Sequence, residues 1–307
     1  MVAVTSLSQL TYQLKPMDMD PVDWMIDSTP LLGDFDAIRA QMDEHGYLYL
    51  PGYLGRERVL NARRTICQRL SDLGLLDPTA DLMDAIPHPI DFNNNFSGGV
   101  LDQMFNDPSA IDDVLYAGPM MAFFREFLSA EVRHYDFTWM RQVKPGPATL
   151  IHSDVVYMGR GTHQLYTAWT PMGDNTFELG GLMTLAGSHK HDGLRKQYWK
   201  HDVDAHCENK PDQRDAWQKK RRGGALHGHA NQLQRSLGGK WVTSNFSAGD
   251  VVIFNVFTVH GGTDNHSKSL RLSTDTRYQR ASEAVDERWI GEKPPAHGPD
   301  GKRGMIC

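Results

Sequence analysis

The chain has 307 residues, of which 40% are hydrophobic and 23% charged, and these values are ordinary for a globular enzyme with a sizeable core. A formal net charge of −6 and a pI of about 6.1 exclude the strongly basic surface that nucleic-acid-binding domains carry. The longest apolar runs are far shorter than a membrane span, so a membrane-embedded protein is not expected.

The expected compartment is the cytoplasm. The three cysteines, Cys67, Cys207 and Cys307, are widely spaced and odd in number, which fits free thiols in a reducing environment. The first residues lack the charged region and long apolar stretch of a secretory signal, and the last residues match no prenylation or peroxisomal signal. No nucleic-acid or membrane partner is expected, and the oligomeric state stays open.

The helix-rich part is expected over about residues 34–129. A helical period begins in "DFDAIRAQM" and breaks at Gly46, where a short apolar strand follows. The run "GRERVLNARRTICQRLSDLGLL" predicts a second helix that ends at Gly74. The stretch 108–129 predicts further helix, interrupted at Gly118-Pro119.

The period of the hydrophobic pattern changes to two from about residue 131. Short runs rich in β-branched and aromatic residues follow one another between Gly, Pro and Asn: "EVRHYDFTWMRQVKPG", "TLIHSDVVYMG", "LYTAWTPM", "GGLMTLAGSH", "DVVIFNVFTVHGG" and "LRLSTDTRYQR". Successive short strands favour a sandwich or jelly roll over alternating βαβ units. We therefore predict a mainly β fold with flanking helices, in which one domain spans 1–307 and its jelly-roll core spans about 131–280.

Residues 193–240 are polar and basic, and we interpret them as an insertion or lid, because long loops are usually functional or disordered. The run "KKRR" at 219–222 is more typical of a solvated face than of a binding patch. "NNNFSGGV" at 93–100 has the composition of a loop that reaches the active site. The final "GEKPPAHGPDGKRGMIC" is expected to be an irregular tail.

His152 and Asp154 stand two residues apart in "TLIHSDVVY", an otherwise apolar run. In a β-strand, side chains at i and i+2 point to the same face, so the imidazole and the carboxylate should lie side by side. Burying such a pair requires a partner, which is either a hydrogen bond between the two groups or a metal ion.

A third metal ligand is predicted at His260, which ends the apolar run "GDVVIFNVFTVHGG" and precedes two glycines. Two histidines and one carboxylate form the ligand face associated with non-haem Fe(II), which leaves positions open for cosubstrate and dioxygen. A structural zinc site would be closed by a fourth ligand, commonly cysteine, and no cysteine lies near these runs.

Arg271 follows His260 by eleven residues and shares a strand face with Ser273. An inward-facing guanidinium stays charged and needs an anion, and a guanidinium beside a hydroxyl suits a carboxylate. Open metal positions near such a group point to a bidentate 2-oxo acid. The alternative is a structural ion pair between Arg271 and Asp275 or another carboxylate.

With these residues the chain resembles the phytanoyl-CoA dioxygenase family of Fe(II)/2-oxoglutarate-dependent oxygenases. The resemblance covers about residues 34–290 and rests on the strand motifs: "HSD" (152–154), "TAWTPM" (167–172), "GGLMTLAGSHKHDG" (180–193), "GDVVIFNVFTVHGGTDNHS" (249–267) and "RLSTDTRYQ" (271–279). The family usually has proline where this chain has Ala186.

The resemblance implies a double-stranded β-helix that uses Fe(II), 2-oxoglutarate and O2. It implies iron ligands at His152, Asp154 and His260, and a seat for the distal 2-oxoglutarate carboxylate at Arg271. Trp169 and Thr149 correspond to positions that line the cosubstrate site in relatives. The expected reaction is hydroxylation of a small molecule with conversion of 2-oxoglutarate to succinate and CO2. Halogenating relatives lack the carboxylate that Asp154 supplies, so halogenation is not expected.

Other interpretations stay open from the sequence. The pairs His189-x-His191 and His227-x-His229 are competing metal candidates, although solvated loop histidines are the commoner explanation. The fold also serves isomerases, dioxygenases that need no 2-oxoglutarate, and non-catalytic binding proteins. The substrate is expected to be an intermediate of natural-product or amino-acid-derivative metabolism rather than an acyl-CoA, because no CoA-binding signature is present.

Overall fold

The computed structural model describes residues 6–18, 20, 22–89, 97–209, 223–298 and 301–306. Its α-helices are α1 (Phe35–His45), α2 (Arg56–Asp72), α3 (Leu101–Met104), α4 (Ser109–Leu115), α5 (Gly118–Leu128), α6 (Val155–Met158), α7 (Asp192–Lys196) and α8 (Ala230–Leu237). Short 3₁₀ turns lie at Leu7–Gln9, Thr29–Leu31, Leu82–Asp84, Ser188–Lys190, Tyr198–Lys200 and Glu287–Trp289.

The strands lie mainly in the second half of the chain. They are β1 (Thr11–Tyr12), β2 (Lys15–Pro16), β3 (Val22–Trp24), β4 (Tyr47–Leu50), β5 (Gly99–Val100), β6 (Val132–His134), β7 (Phe137–Val143), β8 (Tyr166–Pro171), β9 (Leu182–Leu185), β10 (Ala205–Cys207), β11 (Trp241–Thr243), β12 (Val251–Asn255), β13 (His260–Gly262), β14 (Arg271–Arg280) and β15 (Arg303–Met305).

Two facing sheets form a jelly roll. In the described residues the larger sheet has the order β4-β12-β8-β14-β7-β5, with β6 added along β14, and the smaller one has the order β13-β9-β11-β3. The pairs within the larger sheet are antiparallel, as are β13 with β9 and β11 with β9, whereas β11 runs parallel to β3. The predicted double-stranded β-helix with flanking helices is confirmed.

The longest strand, β14, separates two environments by the period of two. Leu272 and Tyr278 pack into the apolar cluster that the helices cover, whereas the odd-numbered residues, which alternate with them, face the interior of the jelly roll. The interior set is polar and comprises Arg271, Ser273, Asp275 and Arg277, all of them less than 9% exposed. A buried strand face that is polar indicates a binding site, because a structural core would be apolar.

The outer face of the larger sheet is covered by the N-terminal helices. Ile38 of α1, Ile66 of α2 and Phe124 of α5 are fully or almost fully buried and share one apolar cluster with Ile253 and Leu272 of the sheet. Each such side chain contributes about 1.5–3 kcal/mol by leaving water, so the helices hold the sheet rigid from behind. The predicted helices over 34–74 and 108–129 are confirmed, and the second stretch is interrupted just before Gly118, where α5 begins.

Two local predictions were wrong. "TLIHSDVVYMG" is not a regular strand: it makes only isolated bridges at Ile151 and His152, and the chain then turns into α6. His260 does not end the preceding strand but begins β13, after a turn that carries the chain from the larger sheet to the smaller one. In both places the backbone leaves the regular strand path, into a helix after His152 and into the second sheet before His260, and a pattern of apolar residues does not reveal this.

The tail is also more ordered than expected, because β15 pairs in parallel with β10. Much of the insertion at 193–240 is described and contains α7, β10 and α8, while "KKRR" at 219–222 and most of "NNNFSGGV" lie outside the described residues. The role of this insertion as a lid stays a prediction.

Cys67 is a buried free thiol. Within the described ranges no helix combines the length and apolar composition of a membrane crossing.

Candidate metal centre

Three side chains meet where the two sheets close on one another. One ligand atom from each of His152, Asp154 and His260 lies within 4.8 Å of the others, which is the only such cluster of histidine, cysteine and acidic residues in the described part of the chain. Their backbones cause this convergence, because His152 and His260 form a β-bridge with N–H···O distances of 2.9 Å in both directions. The bridge fixes the two imidazoles side by side, with ring centroids 4.3 Å apart.

Each imidazole is oriented by its own backbone. Nδ1 of His152 donates to the carbonyl of Leu150 at 2.7 Å, and Nδ1 of His260 donates to the carbonyl of Thr258 at 2.9 Å. Because a carbonyl can only accept, the proton of each neutral ring is on Nδ1 and the lone pair is on Nε2. The two Nε2 atoms lie 3.7 and 3.8 Å from Oδ1 of Asp154, so three donor atoms face one point.

Asp154 is held by its second oxygen. The residue precedes α6 and is 2% exposed, and its Oδ2 accepts from the Thr167 hydroxyl at 2.5 Å and pairs with Arg277 at 3.0 Å. Oδ1 is therefore left to face the imidazoles. A carboxylate with one oxygen facing the other ligands and the second oxygen held by outer partners is typical of a metal site.

The electrostatics favour the metal-binding protonation states. Burial, with a smaller effect of the neighbouring ring, lowers the pKa of His152 to about 3, and burial also lowers the pKa of His260. Burial alone would raise the pKa of Asp154, but Arg277 and the two imidazoles outweigh it and hold the pKa below its usual range. Two neutral rings and one carboxylate are the forms that ligate a cation without first losing a proton.

The donor set fits Fe(II). Two imidazole nitrogens and one carboxylate oxygen on a single face leave the remaining octahedral positions open. No cysteine of the described chain lies in the cluster, so the closed geometry of a structural zinc site is absent there. The centre is thus suited to an ion that must bind further small molecules.

A narrow cavity of about 30 Å³ adjoins the cluster and leads to Arg271. Arg271 is 3% exposed, and burial lowers the pKa of its guanidinium to about 10. NH1 donates to the carbonyl of Gly181 at 3.3 Å, but Nε has no partner, and no carboxylate of a described residue lies within 4.0 Å. Asp275 instead pairs with Arg141 at 2.7 Å. A buried cation without a carboxylate in direct contact is suited to an anionic ligand.

The glycines after His260 make room for this cation. A Cβ at Gly262 would lie 3.1 Å from NH1 of Arg271, and a Cβ at Gly261 would lie 3.1 Å from the side chain of Ile151. Both distances are tighter than ordinary contacts. The sequence His-Gly-Gly therefore supplies one metal ligand, and its two glycines leave space for the side chains of Ile151 and Arg271.

The other predicted cosubstrate residues have mixed outcomes. Trp169 is 3% exposed and lines the narrow cavity, as does Thr149, whose carbonyl accepts from the amide of Gly262 at 3.2 Å. Ser273 is 1% exposed, and its hydroxyl has no partner among the described residues, yet it is not among the residues that line the cavity. Ser273 thus lies between two cavity-lining residues of the same strand face, Arg271 and Asp275, but does not itself line the cavity.

A larger cavity of about 570 Å³ also adjoins the cluster. Its wall contains His152 and Asp154, so a molecule within it would reach the metal site directly. The remaining lining is mostly aromatic and apolar: Phe137, Trp139, Leu150, Tyr157, Met158, Ala225, Trp289 and Ala296, with Ser97, Arg141, Thr149, Arg277 and His297 as polar members. This shape and lining are those of a small-molecule site.

The competing histidine pairs do not form a metal site. Nε2 of His189 hydrogen bonds to the carbonyl of Asp43 at 3.0 Å, and Nδ1 of His191 accepts from the amide of Leu194. Nδ1 of His227 hydrogen bonds to the backbone of His229 at 3.0 Å. These ring nitrogens bond to the backbone, locally for His191 and His227 and across the fold for His189, and the histidines are partly buried rather than solvated.

Sequence reasoning missed three residues that shape the centre, namely Arg141, Thr167 and Arg277. The signal for Arg277 was available, because Arg271 and Arg277 share one face of β14 by the period of two. The signal for Thr167 was weaker: it shares a face of β8 with Trp169. Arg141 is identified only by its pairing with Asp275, a residue on a neighbouring strand.

Replacing Thr167 by valine should weaken Fe(II) binding by about 10-fold, since outer partners of metal ligands typically contribute 10- to 100-fold in affinity. The hydroxyl that fixes Oδ2 of Asp154 is lost while the side-chain volume stays similar. Anaerobic metal titration measures the effect. Thr170→Val is the matched control, because Thr170 is a buried threonine of the same strand whose hydroxyl has no partner among the described residues. Equal affinities in the two variants would contradict the assigned role.

Comparisons with known proteins agree with this geometry. The family profile described as phytanoyl-CoA dioxygenase (PhyH) matches residues 42–273. The chain is 30% identical over 272 residues to 1-deoxypentalenic acid 11-beta-hydroxylase of Streptomyces exfoliatus, with 86% of this chain and 87% of that protein covered.

Solved structures show the same fold. The non-heme alpha ketoglutarate dependent carbocyclase SnoK from nogalamycin biosynthesis aligns with a TM-score of 0.56 at 18% identity, covering 85% of this chain and 90% of that one. EctD from S. alaskensis, solved with 2-oxoglutarate and 5-hydroxyectoine, aligns with a TM-score of 0.54 at 18% identity, covering 97% and 95%.

Proposed function

The chain belongs to the phytanoyl-CoA dioxygenase (PhyH) family, and from this membership we infer that it is an iron- and 2-oxoglutarate-dependent oxygenase that hydroxylates a small molecule. The observation that carries the inference is the pairing of an open His152–Asp154–His260 face with a buried guanidinium that has no counter-ion among the described residues. A metal site alone fits many enzymes. A metal site that shares a cavity with an unpaired cation specifically fits a carboxylate cosubstrate that also binds the metal.

The protein's residues have distinct roles in this proposal. His152, Asp154 and His260 hold Fe(II), and Arg271 binds the distal carboxylate of 2-oxoglutarate, while Trp169 and Thr149 line its site. When bound, iron and 2-oxoglutarate together use O2 to convert a C–H bond to C–OH, with release of succinate and CO2. Thr167 and Arg277 keep Oδ1 of Asp154 turned toward the metal throughout.

The lining of the larger cavity supports a proposal for the substrate class. Aromatic walls from Phe137, Trp139 and Trp289 favour an apolar skeleton and exclude water from it. Arg141 adds a positive charge: Nε donates to Asp275, while its terminal nitrogens make no hydrogen bond with described residues. The relative of known activity is named for the hydroxylation of an acid. We therefore assign a compact apolar carboxylic acid of specialised metabolism as the substrate class.

The alternatives left open by the sequence are disfavoured on this basis. An isomerase or a dioxygenase that needs no 2-oxoglutarate would not require a carboxylate-binding Arg271, and a non-catalytic binding protein would not require an open iron face. Family membership and a hydroxylase relative both indicate an oxidoreductase.

Anaerobic titration with Fe(II) and 2-oxoglutarate tests the proposal. Chelation of the iron by the 2-oxo acid should give a visible charge-transfer absorption band in the unaltered protein, and aerobic 2-oxoglutarate turnover should yield succinate. His152→Ala should lose both signals because the metal loses one of three ligands. His189→Ala should keep both, since that imidazole lies outside the metal cluster and hydrogen bonds to the carbonyl of Asp43. A band that persists in His152→Ala would overturn the ligand assignment.

A further inference from the structure

The C-terminal segment returns to the substrate cavity after the last strand of the jelly roll. Trp289, Ala296 and His297 line that cavity, although the family match ends at residue 273. Arg288 anchors the segment: it is 4% exposed and donates to both oxygens of Asp286, to Asp204 at 2.6 Å and to the carbonyl of Tyr157 at 2.7 Å. Such a network fixes the segment firmly against the jelly roll.

His297 is oriented by the same network. Its Nδ1 lies 2.7 Å from Oδ2 of Asp204, the oxygen that also accepts from NH1 of Arg288. Burial by itself would raise the pKa of Asp204, but its hydrogen bond with His297 and the charge of Arg288 outweigh it, so the pKa is lowered. Because Asp204 is an ionised acceptor, Nδ1 of His297 must be the donor.

The other ring nitrogen is available to a ligand. When the ring carries a single proton, on Nδ1, its Nε2 is a hydrogen-bond acceptor, and this atom makes no hydrogen bond with any described residue. The side chain is 39% exposed and packs against Trp289, with ring centroids 4.7 Å apart. Asp204 therefore holds a hydrogen-bond acceptor in a fixed orientation inside an aromatic cavity. Packing of the tail does not require such an acceptor, so it points to a ligand.

His297 and the metal ligands His152 and Asp154 line the same cavity. Tyr157 contacts both histidines, with its ring 5.3 Å from that of His152 and 5.7 Å from that of His297. Both histidines are therefore within reach of one small molecule. A substrate that touches His297 at one end can therefore present a carbon to the metal centre at the other.

We propose that Nε2 of His297 accepts a hydrogen bond from a hydroxyl group at the end of the substrate remote from the metal, and thereby helps to select the carbon that is oxidised. The inference rests on the proposed function, since it assumes that the larger cavity holds the substrate. It adds to the apolar acid of that proposal a second polar group, a hydroxyl, at a defined end. His297 is a positioning residue.

A matched pair of probes tests this inference. 1-Adamantanecarboxylic acid and 3-hydroxy-1-adamantanecarboxylic acid share a compact apolar skeleton and one carboxylate, and only the second has a hydroxyl, on another bridgehead carbon. Their affinities are measured by anaerobic calorimetry on the full chain loaded with Fe(II) and 2-oxoglutarate. The hydroxy acid should bind roughly fivefold more tightly, the preference expected for one partly exposed hydrogen bond.

Two substitutions separate substrate binding from a structural role. His297→Asn keeps an amide N–H at the position of Nδ1, so it can still bond to Asp204, but it has no polar atom at the position of Nε2. His297→Gln places its amide near the position of Nε2 but has no N–H at the position of Nδ1. We expect the preference for the hydroxy acid to disappear in His297→Asn and to remain in His297→Gln, while the charge-transfer band with 2-oxoglutarate is unchanged in both.

Each other result contradicts the inference. Equal affinity of the unaltered protein for the two acids, or binding of neither, means that His297 does not accept a hydroxyl in this cavity. Loss of the preference in His297→Gln but not in His297→Asn means that the imidazole acts only through Asp204. Absence of the charge-transfer band in the unaltered protein would instead overturn the proposed function, and that failure is visible without either probe.

Discussion

Replacing Arg271 by methionine should weaken 2-oxoglutarate binding by about 100-fold or more and should at the same time stabilise the protein that lacks cosubstrate. The first effect follows from losing a buried, charge-assisted contact to a carboxylate, which typically costs 2–5 kcal/mol of binding. Titration of the charge-transfer band with 2-oxoglutarate measures it.

The second effect has the opposite sign for a physical reason. Arg271 is a buried cation with an unpaired Nε and no carboxylate of a described residue within 4.0 Å. Methionine fills a similar volume without a charge that must leave water, so the free energy of unfolding should rise by roughly 1–3 kcal/mol. The carbonyl of Gly181 stays satisfied, because it also accepts from the amide of Thr263 at 2.9 Å.

Arg63→Met is the matched control for these two measurements. Arg63 is also buried, but its guanidinium donates to the carbonyls of Met83 and Met172, each at 2.6 Å, and lies outside both cavities. Its loss leaves those carbonyls without a donor and should lower stability without changing 2-oxoglutarate affinity. If Arg271→Met instead destabilised the protein and kept its affinity for 2-oxoglutarate, Arg271 would be a structural residue.

The contrast between these arginines shows how far the sequence could lead. The period of two in "RLSTDTR" predicted correctly that Arg271 faces inward, because a strand of ten residues imposes that period along its whole length. Which inward charge has a counter-ion depends instead on neighbours distant in sequence. Asp275 pairs with Arg141 and Arg277 pairs with Asp154, and both pairings depend on how separate strands and loops come together.

The metal ligands illustrate the same limit at a finer scale. His152 and Asp154 were predicted to meet because a strand presents alternate residues on one face, and they do meet, but through a bridge followed by a helical turn. The chemistry was predictable from residue types and order, whereas the backbone path was not. The tail shows the limit most clearly, since Asp204 and His297 are joined across 93 residues without any local pattern.

Replacing Asp154 by asparagine should abolish hydroxylation, with turnover reduced by roughly 1,000-fold, equivalent to about 4 kcal/mol. The neutral amide is a poor ligand for Fe(II), so the charge-transfer band should be lost as well. The substitution should also lower the free energy of unfolding of the metal-free protein by about 3 kcal/mol, because Arg277 is 1% exposed and would keep its charge without a counter-ion.

A second substitution separates these two consequences. In Asp154→Asn combined with Arg277→Met, the unpaired guanidinium is removed, so stability should return toward that of the unaltered protein while turnover stays absent. Asp250→Asn serves as the control for a buried aspartate outside the site: it accepts from Tyr49 and from the amides of Gly52 and Ser247, so its loss should reduce stability and leave turnover intact. Recovery of hydroxylation in the double variant would show that Asp154 stabilises Arg277 rather than the metal. Recovery of stability alone identifies its carboxylate as an iron ligand whose second oxygen is held by Arg277.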